Sequence, residues 1–388
     1  MYSKISILIV LVISSFLFSA CNDDPTSAGL PVLSKGDLIT VNPDSSFLVS
    51  SSSFNSKVDF FASDPILLGS YNGVNSTMLV NFYLSMPDTI KTGILNNTVS
   101  VQNAWIDMYP YYTIGSAAAS DDFFKVKRIN SGWPSTVNFN ADSLSKINKD
   151  ETDLKTGNNF TTSLYSFGVS ASNVSAWLKD TSKTTVGLYF EPNAGSQKIV
   201  GFHPYYSTDL TYSMRMKVVF VKSGVYSDTV SFYPATDLHL VQGNGIQRPA
   251  NRICVQGGIG LHSSLQFEIP KSIPLESTIN NAQLELTWDQ AQSNFGSPMD
   301  STLKVMFITN ATTHSYDSTK TLTLNKNGNV FKGDISYFVQ KWVSGKSPNY
   351  GVAIGLSNEK GKVDMLAFMG SDSPYKPKLK LVYTAKKP

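Results

Sequence analysis

Apolar and polar residues alternate along most of this chain. Short runs in which every second residue is apolar recur at 78–84, 105–109, 265–269, 283–288 and 378–383. A period of two, with many β-branched and aromatic residues, is typical of half-buried strands. Gly, Pro and Asn separate the runs, as they do in sandwiches and jelly rolls. The pattern therefore predicts an all-β protein made of jelly-roll-like β-sandwiches.

The order of these signals repeats. An Asn-Ala dipeptide before an alternating run, a short stretch of helical spacing that ends in Trp177 or Trp342, and a last alternating strand occur in residues 78–220 and again in 263–383. A constant order with slightly drifting spacing is typical of duplicated modules with loop insertions. We predict two tandem modules, each with one short helix. The two tryptophans are expected to anchor these helices to the sandwiches, with ligand stacking as the alternative.

The first twenty residues have the layout of a secretory signal. Lys4 precedes an apolar run that is too short to span a membrane comfortably. The run ends in Leu17-Phe18-Ser19-Ala20-Cys21, which resembles a bacterial lipobox, in which the Cys is lipidated. An ordinary cleaved signal is the alternative. We predict lipidation of Cys21 and attachment to the membrane through this lipid anchor, because several acyl chains give stable anchoring.

The residues after Cys21 predict where the protein is displayed. Asn22-Asp23-Asp24 resembles the acidic signal that exports some lipoproteins to the cell surface, so we predict an outer-membrane lipoprotein exposed on the cell surface. A periplasm-facing lipoprotein is the alternative. Pro, Ser, Asp and Gly without periodicity then indicate a tether. The predicted division of the chain is listed in order as signal peptide 1–20, tether 21–36, first β-sandwich module 37–222 and second module 223–388.

Composition narrows the class of protein. Charged residues make up 16% of the 388 residues and aromatic residues 12%, with 32 Lys and Arg against 29 Asp and Glu. This balance excludes global disorder and gives no basic patch for a nucleic-acid partner. Cys254 is the only Cys besides Cys21. It lies in a strand-like apolar context, so a buried free thiol is expected and a disulfide between the two is not.

The second module contains a series of short motifs in a fixed order. Ile269-Pro270 comes first, then an Ile-Asn-Asn-Ala-Gln-Leu-Glu-Leu run at 279–286, a Gly-Asp-Ile stretch that leads to Trp342, and closing segments at 349–354 and 377–383. Over residues 225–388 this order resembles the DNRLRE-type domains. The resemblance implies a jelly-roll module of secreted and surface proteins, some of which are carbohydrate-binding modules for acidic polysaccharides.

Signals for catalysis are weak. The four histidines, at positions 203, 239, 262 and 314, are scattered, and the chain has no nucleophile elbow and no zinc-binding signature. Acids on predicted strands do not single out a pair for glycoside hydrolysis; those considered are Asp107, Glu191, Glu268 and Glu285. We therefore predict no enzyme, no catalytic residue, no metal ligand and no cofactor. A structural calcium ion stays open, although the acid pair Asp121-Asp122 is not part of an EF-hand loop.

The remaining functional signal is aromatic. Tyr109-Pro110-Tyr111-Tyr112 and His203-Pro204-Tyr205-Tyr206 place paired tyrosines beside proline at segment ends. Neighbouring residues of a strand face opposite sides, so at least one ring of each pair lies outside the core. Aromatic rings stack on the apolar faces of sugars. The predicted ligand-binding residues are Tyr111, Tyr112, Trp133, Tyr205 and Tyr206. The alternative is that these rings merely form a rim of the sandwich.

Together these features predict a non-enzymatic surface lipoprotein that binds a polysaccharide or another cell-surface component. The alternative is a structural or assembly protein that docks onto partner proteins. A concave face lined with tyrosines favours the first function. A flat exposed apolar patch favours the second.

Overall fold

The computed structural model describes residues 38–41, 47–116, 118–136, 139–204 and 210–385. The predicted signal peptide, the tether with Cys21, and Tyr205 and Tyr206 lie outside these residues. About 51% of the chain is strand and 10% is helix. The all-β prediction from alternating residues is therefore confirmed.

Twenty-four strands are distributed over the whole of the described residues. The first twelve are β1 (Ile39–Val41), β2 (Leu48–Asn55), β3 (Ile66–Tyr71), β4 (Val74–Tyr83), β5 (Ser100–Met108), β6 (Pro110–Gly115), β7 (Phe124–Ser131), β8 (Asn148–Lys149), β9 (Lys155–Phe160), β10 (Tyr165–Val169), β11 (Thr185–Pro192) and β12 (Lys198–Phe202). The next twelve are β13 (Arg215–Lys222), β14 (Tyr226–Phe232), β15 (Pro234–Gly243), β16 (Arg252–Gln256), β17 (Leu261–Phe267), β18 (Thr278–Thr287), β19 (Thr302–Asn310), β20 (Ser315–Asn327), β21 (Val330–Asp334), β22 (Val352–Leu356), β23 (Met365–Met369) and β24 (Lys378–Thr384).

Short helices connect some of these strands. They are α1 (Asp88–Leu95), α2 (Ala141–Ser145), α3 (Ala171–Lys179) and α4 (Ser336–Val343). The last two are the predicted pair, and both Trp177 and Trp342 are buried in the apolar cores, as expected of anchors. The prediction of one helix per module is wrong for the first module, because α1 and α2 also occur there. Both are in connections between strands, where sequence periodicity gave no signal.

Two facing sheets form what we call the first body. The eight-stranded sheet has the order β6-β12-β3-β4-β11-β7-β8, with β15 also paired to β4. The five-stranded sheet has the order β14-β13-β5-β10-β9. Aromatic side chains from both sheets, among them Phe82, Phe124 and Phe167, fill the space between them. The first body is therefore a sandwich.

A single sheet of eleven strands forms the second body. Its order is β1-β24-β18-β21-β20-β19-β22-β17-β16-β23, and β2 pairs with β17. A bridge between Trp288, just after β18, and Phe368 of β23 joins distant parts of this sheet. The sheet thus curls around one apolar core that includes Leu284, Phe331 and Phe338.

The module boundary predicted at residue 223 does not divide the sheets. Strands β14 and β15 follow it but belong to the first body, whereas β1 and β2 precede it and belong to the second. In the β2–β17 pair, Ser51 lies opposite Leu265. Alternation shows that a segment is a strand but does not show which distant strand it pairs with. The pairing of β1 and β2 in the second body, and of β14 and β15 in the first, could therefore not be predicted from the sequence.

A third apolar cluster, which we call the seam, joins the two bodies. Tyr112 and Ile114 of the first body pack in it with Leu261 and Met365 of the second. Cys254 is also buried there as a free thiol, as predicted. The two bodies therefore share an apolar core and are not independent domains.

Candidate functional site

Tyr111 projects from the first body at an irregularity in strand pairing. Opposite β6, Gly201 pairs with Tyr112 and Phe202 pairs with Pro110, so Tyr111 has no partner residue on β12. An extra residue of this kind forms a β-bulge, and bulges redirect side chains. The Tyr111 side chain is 48% exposed.

Three more rings extend from Tyr111 to form what we call the aromatic surface. The centroid of Tyr111 lies 5.1 Å from that of His203, and His203 stacks on Tyr212 at 5.5 Å with an angle of 26° between the rings. Tyr212 then meets Tyr109 edge to face at 5.7 Å. Tyr212 is 46% exposed, so this ring and Tyr111 at one end of the row face solvent, whereas Tyr109 at the other end is half-buried.

Arg215 fixes one end of this surface. Its guanidinium carbon lies 5.3 Å from the centroid of Tyr109, within the range of a cation–π contact. Its Nη2 donates hydrogen bonds to the Tyr109 hydroxyl and to the Thr211 carbonyl, the latter at 3.1 Å. The Thr211 contact holds the turn of 3-10 helix at Leu210–Tyr212 and so positions Tyr212.

This arrangement suits a sugar or another ligand with apolar faces and hydroxyl groups. Tyrosine gives a large contact area and loses little conformational entropy on binding, because it has few rotatable bonds. Its hydroxyl group supplies a hydrogen-bond donor and acceptor. The contacts of Arg215 reduce the remaining freedom of the rings further.

A small cavity of about 350 Å³ lies among two further exposed tyrosines, Tyr83 and Tyr233. The backbone N–H of Tyr83 donates to the Tyr233 carbonyl at 2.9 Å. Tyr233 also interacts with Arg215, which connects this cavity to the aromatic surface.

Tyr112 must be removed from the predicted ligand-binding set. Its ring is 1% exposed and faces the seam, where its hydroxyl donates to Asp364 at 2.7 Å. Adjacent residues of a strand point to opposite faces, so an exposed Tyr111 requires Tyr112 to point inward. Tyr112 is a structural residue, and it cannot touch an external ligand.

Trp133 is not brought together with Tyr111. The half-buried Trp133 ring packs against the outer face of the eight-stranded sheet, where a Cβ on Gly187 would stand 3.1 Å from it. Gly187 is on β11, four strands away from β6. At about 4.8 Å per strand this separation is about 20 Å. Tyr205 and Tyr206 lie outside the described residues.

Most of the aromatic surface was not predicted from the sequence. His203 was one of four scattered histidines, and Tyr212 and Arg215 were not among the predicted ligand-binding residues. Their meeting depends on the pairing of β6 with β12, which has no local signal. The only available hint was that Tyr109 and His203 both precede proline at a strand end.

The strand acids considered for hydrolysis do not form a facing pair. Asp107 forms an ion pair with Lys217 at 2.9 Å, Glu191 with Lys127 at 2.7 Å, and Glu285 with Lys380 at 2.8 Å. Glu268 is exposed. Three of the four acids thus face a lysine and not a second acid.

The contacts that a catalytic histidine would need lie on two different histidines. His262 contacts Glu359 at 2.7 Å through Nε2, whereas His314 contacts the Ser52 hydroxyl at 3.3 Å. A Ser-His-acid triad needs both contacts on one imidazole. These two pairs therefore do not make a triad.

Metal ligands are not gathered in the part of the chain that the structure describes, where no group of three or more His, Cys, Asp and Glu residues could hold an ion. The acid pair at Asp121 and Asp122 is used instead by Lys198 and Lys155, which form ion pairs with them. Within the same described ranges, no helix has both the length and the apolar character needed to cross a membrane.

Comparisons with known proteins identify no family. No family model matches the chain, and no curated protein matches it either. The C-terminal domain of the Streptococcus agalactiae AgI/II polypeptide BspA aligns over 87% of this chain and 92% of its own, with 7% identity and a TM-score of 0.19. The full-length RrgB pilus protein of Streptococcus pneumoniae aligns over 81% and 36%, with 9% identity and a TM-score of 0.17. At these TM-scores neither likeness carries a conclusion about this chain, and the resemblance to DNRLRE-type domains stays a prediction.

Proposed function

We propose that this protein is a non-enzymatic surface lipoprotein that binds a polysaccharide through the aromatic surface. The observation that carries this proposal is the continuous row of rings from Tyr111 through His203 and Tyr212 to Tyr109. Large exposed rings held in place by neighbouring residues are the usual means of contacting sugar faces.

The anchoring part of the proposal rests on sequence alone. The lipobox-like run ending at Cys21 supports lipidation, and Asp23-Asp24 supports display on the cell surface. The intervening tether would separate the two bodies from the membrane. Two observations support a non-enzymatic role. Asp107 and Glu191 form ion pairs with lysines, and the acid and serine contacts of a triad are on different histidines, His262 and His314.

A paired measurement tests the polysaccharide proposal. A glycan array first identifies a ligand for the purified protein, and the variant Tyr111→Ala/Tyr212→Ala is then compared with the wild type. We expect affinity to fall about tenfold or more, because each exposed ring contributes on the order of 1 kcal/mol. The melting temperature should barely change, since truncating exposed residues alters stability by less than about 0.5 kcal/mol.

The matched control is Tyr337→Ala/Tyr375→Ala. These tyrosines are similarly exposed but belong to the second body. This control should bind the glycan as tightly as the wild type. Unchanged affinity of the Tyr111→Ala/Tyr212→Ala variant, or an equal loss in the control, contradicts the proposed site.

One feature favours the alternative function of docking onto partner proteins. An apolar groove of about 600 Å³ lies beside α4, and Val49 and Leu275 on its lining are exposed. Such a groove fits an apolar side chain of a partner protein. If docking is the function, Leu275→Asp and not Tyr111→Ala should abolish cross-linking of the protein to neighbouring proteins on intact cells.

A further inference from the structure

The apolar groove beside α4 is continuous with the core of the second body, and we call it the entry groove. Its floor is formed by side chains that also belong to that core, namely Phe267, Ile273, Trp342 and Val343. Its rim is apolar as well. Leu275 is 77% exposed, the largest exposed fraction among the exposed large hydrophobic side chains of the described residues, and Val49 is 62% exposed. Apolar surface that is left open in this way is typical of an interaction site.

The loop that forms this rim is held in place by its own hydrogen bonds. The backbone N–H of Ile273 donates to the Pro270 carbonyl at 3.0 Å. The Pro274 carbonyl accepts from the Ser277 hydroxyl at 2.7 Å and from the Ser277 backbone N–H at 3.2 Å. The groove is therefore formed before an occupant arrives, which reduces the entropic cost of binding.

The chain enters the second body beside this groove. Ile39, the first residue of β1, lies opposite Tyr383 in the β1–β24 pair. The Tyr383 hydroxyl donates to the Ser272 carbonyl at 3.4 Å, and Ser272 lies between two residues that line the groove, Lys271 and Ile273. Because residues opposite each other in paired strands are about 5 Å apart, Ile39 lies about one strand spacing and one tyrosine side chain away from the loop.

The sequence before β1 contains one apolar motif. Among residues 22–37, which lie outside the part of the chain that the structure describes, the only apolar side chains larger than proline belong to Leu30, Val32 and Leu33. Five residues separate Leu33 from Ile39. They span about 20 Å when fully extended. The motif at 30–33 is therefore within reach of the entry groove.

The short connection favours this motif over other occupants. Residues 34–37 are Ser-Lys-Gly-Asp, a small and polar linker. A short flexible linker gives a tethered segment an effective concentration of about a millimolar. A motif of only modest affinity then fills the groove ahead of a partner protein or a second copy of the chain at micromolar concentration.

We propose that the apolar motif at 30–33 docks into the entry groove of its own chain. Its leucine and valine side chains cover the rim at Leu275 and Val49. Docking shortens the free part of the tether, because the maximum reach falls from about 60 Å between Cys21 and Ile39 to about 30 Å between Cys21 and Leu30. The shorter distance to the membrane rests on the lipid anchor proposed at Cys21, whereas the docking itself does not.

Thiol labelling tests the docking on the unlipidated chain from residue 21 onward. Leu275→Cys places a reporter thiol on the rim of the groove, and Cys21→Ser removes the other accessible thiol, since Cys254 is buried. The rate of reaction with a maleimide then reports how often the groove is open, because a docked segment protects the thiol in proportion to its occupancy. Val49→Cys, on the opposite side of the groove, is a second reporter for which the same result is expected.

Two tether variants are compared with the natural tether in each reporter chain. Leu30→Asp/Leu33→Asp should label at least about fivefold faster, because the charged motif leaves the groove. Ser27→Asp/Ser34→Asp adds the same charge outside the motif. It is the matched control and should label as slowly as the chain with the natural tether. Equal labelling rates in the two variants overturn the proposal.

A synthetic peptide of residues 28–36 identifies the occupant. It should bind the Leu30→Asp/Leu33→Asp chain, whose groove is open, at least about tenfold more tightly than the chain with the natural motif, whose groove is filled. Leu275→Asp should weaken this binding. Equal affinity of the peptide for both chains contradicts docking. Protection of the reporter thiol that increases with protein concentration would assign the groove to a second copy of the chain and also overturn the proposal.

Discussion

Tyr112 of the first body donates its hydroxyl hydrogen to the Asp364 carboxylate of the second body across 2.7 Å. Both residues are buried in the seam. The same carboxylate accepts from the backbone N–H groups of Gly296 at 2.8 Å and Asp300 at 3.0 Å. Burial raises the pKa of Asp364, and these hydrogen bonds act against that increase. A polar contact at the centre of an apolar interface thus fixes how the two bodies meet.

Tyr112→Phe tests this contact. The variant keeps the ring but removes one donor from the buried carboxylate, and we expect a loss of about 1–3 kcal/mol in the free energy of unfolding. Urea titration measures it. Tyr111→Phe, on the exposed neighbour, is the control and should leave stability unchanged. Equal stabilities of the two variants would show that the hydrogen bond contributes nothing.

His239 should make the protein sensitive to mild acid. It is buried against Phe60, its Nε2 lies 3.0 Å from the Lys360 carbonyl, and its Nδ1 has no partner in the described residues. Burial lowers the pKa of His239 to about 3, well below the ordinary histidine value of about 6.5. The folded state therefore holds the neutral ring, and its contribution to stability is present above pH 6.5 and decreases as the pH falls toward 3.

The expected size follows from this shift. Between pH 7 and pH 5 the unfolding free energy should fall by about 2 kcal/mol because of His239. Urea titrations at the two pH values measure the fall, and His239→Gln should lack most of it. A fall of the same size in His239→Gln would assign the acid sensitivity to other groups.

The shared core makes the second body dependent on the first. A fragment of residues 225–388 lacks β1 and β2 and exposes seam residues such as Leu261 and Met365. We expect it to lack a cooperative urea transition. A matched fragment that places residues 38–55 before 250–385 restores both strands and should regain part of that transition. A fragment 225–388 as stable as the whole protein would contradict a shared core.

Trp342 should be important for the stability of the second body. It stacks on Phe307 with a centroid separation of 6.0 Å and an angle of 27°. Trp342→Ala should cost about 3–5 kcal/mol, the usual range for removing a buried aromatic side chain. Trp342→Phe should cost less, because the indole N–H has no partner in the described residues and much of the packing is kept. Equal losses in thermal unfolding would show that packing does not decide the effect.

Lipidation predicts a difference between the two cysteines. Cys21→Ala should release the protein from the membrane fraction or leave its signal uncleaved, which fractionation and immunoblotting would reveal. Cys254→Ala is the matched control, since that thiol is buried in the seam, and it should stay with the membrane. Retention and normal processing of the Cys21 variant would refute the lipobox interpretation.

Local features of this fold could be predicted from the sequence. Alternation identified strands such as β5, β18 and β24, and helical spacing before Trp177 and Trp342 identified α3 and α4. The exposure of one tyrosine in the Tyr111–Tyr112 pair also followed from the period of a strand.

Features that depend on distant pairing could not be predicted. The place of β2 in the second body is set by its contacts with β17, and Ser52 and Ser264 of this pair are 212 residues apart. The bulge at Tyr111 and the approach of His203 likewise arise only when β6 and β12 are paired. Such contacts are decided by the whole sheet and leave no period in either strand.

The pairing of β1 and β2 with strands of the second body also determines the order in which the sheet can form. Synthesis proceeds from the N-terminus, so β2 cannot pair until β17 has been made, and β1 cannot pair until β24, the last of the described strands, has been made. A strand that stays unpaired for so long is a hazard, because exposed apolar edges recruit other chains. The middle of β2 is a run of serines at 50–53, so before it pairs this strand presents hydroxyl groups there and not an apolar edge. The same hydroxyl groups later bond across the finished sheet, as Ser52 does to Ser264 at 2.7 Å.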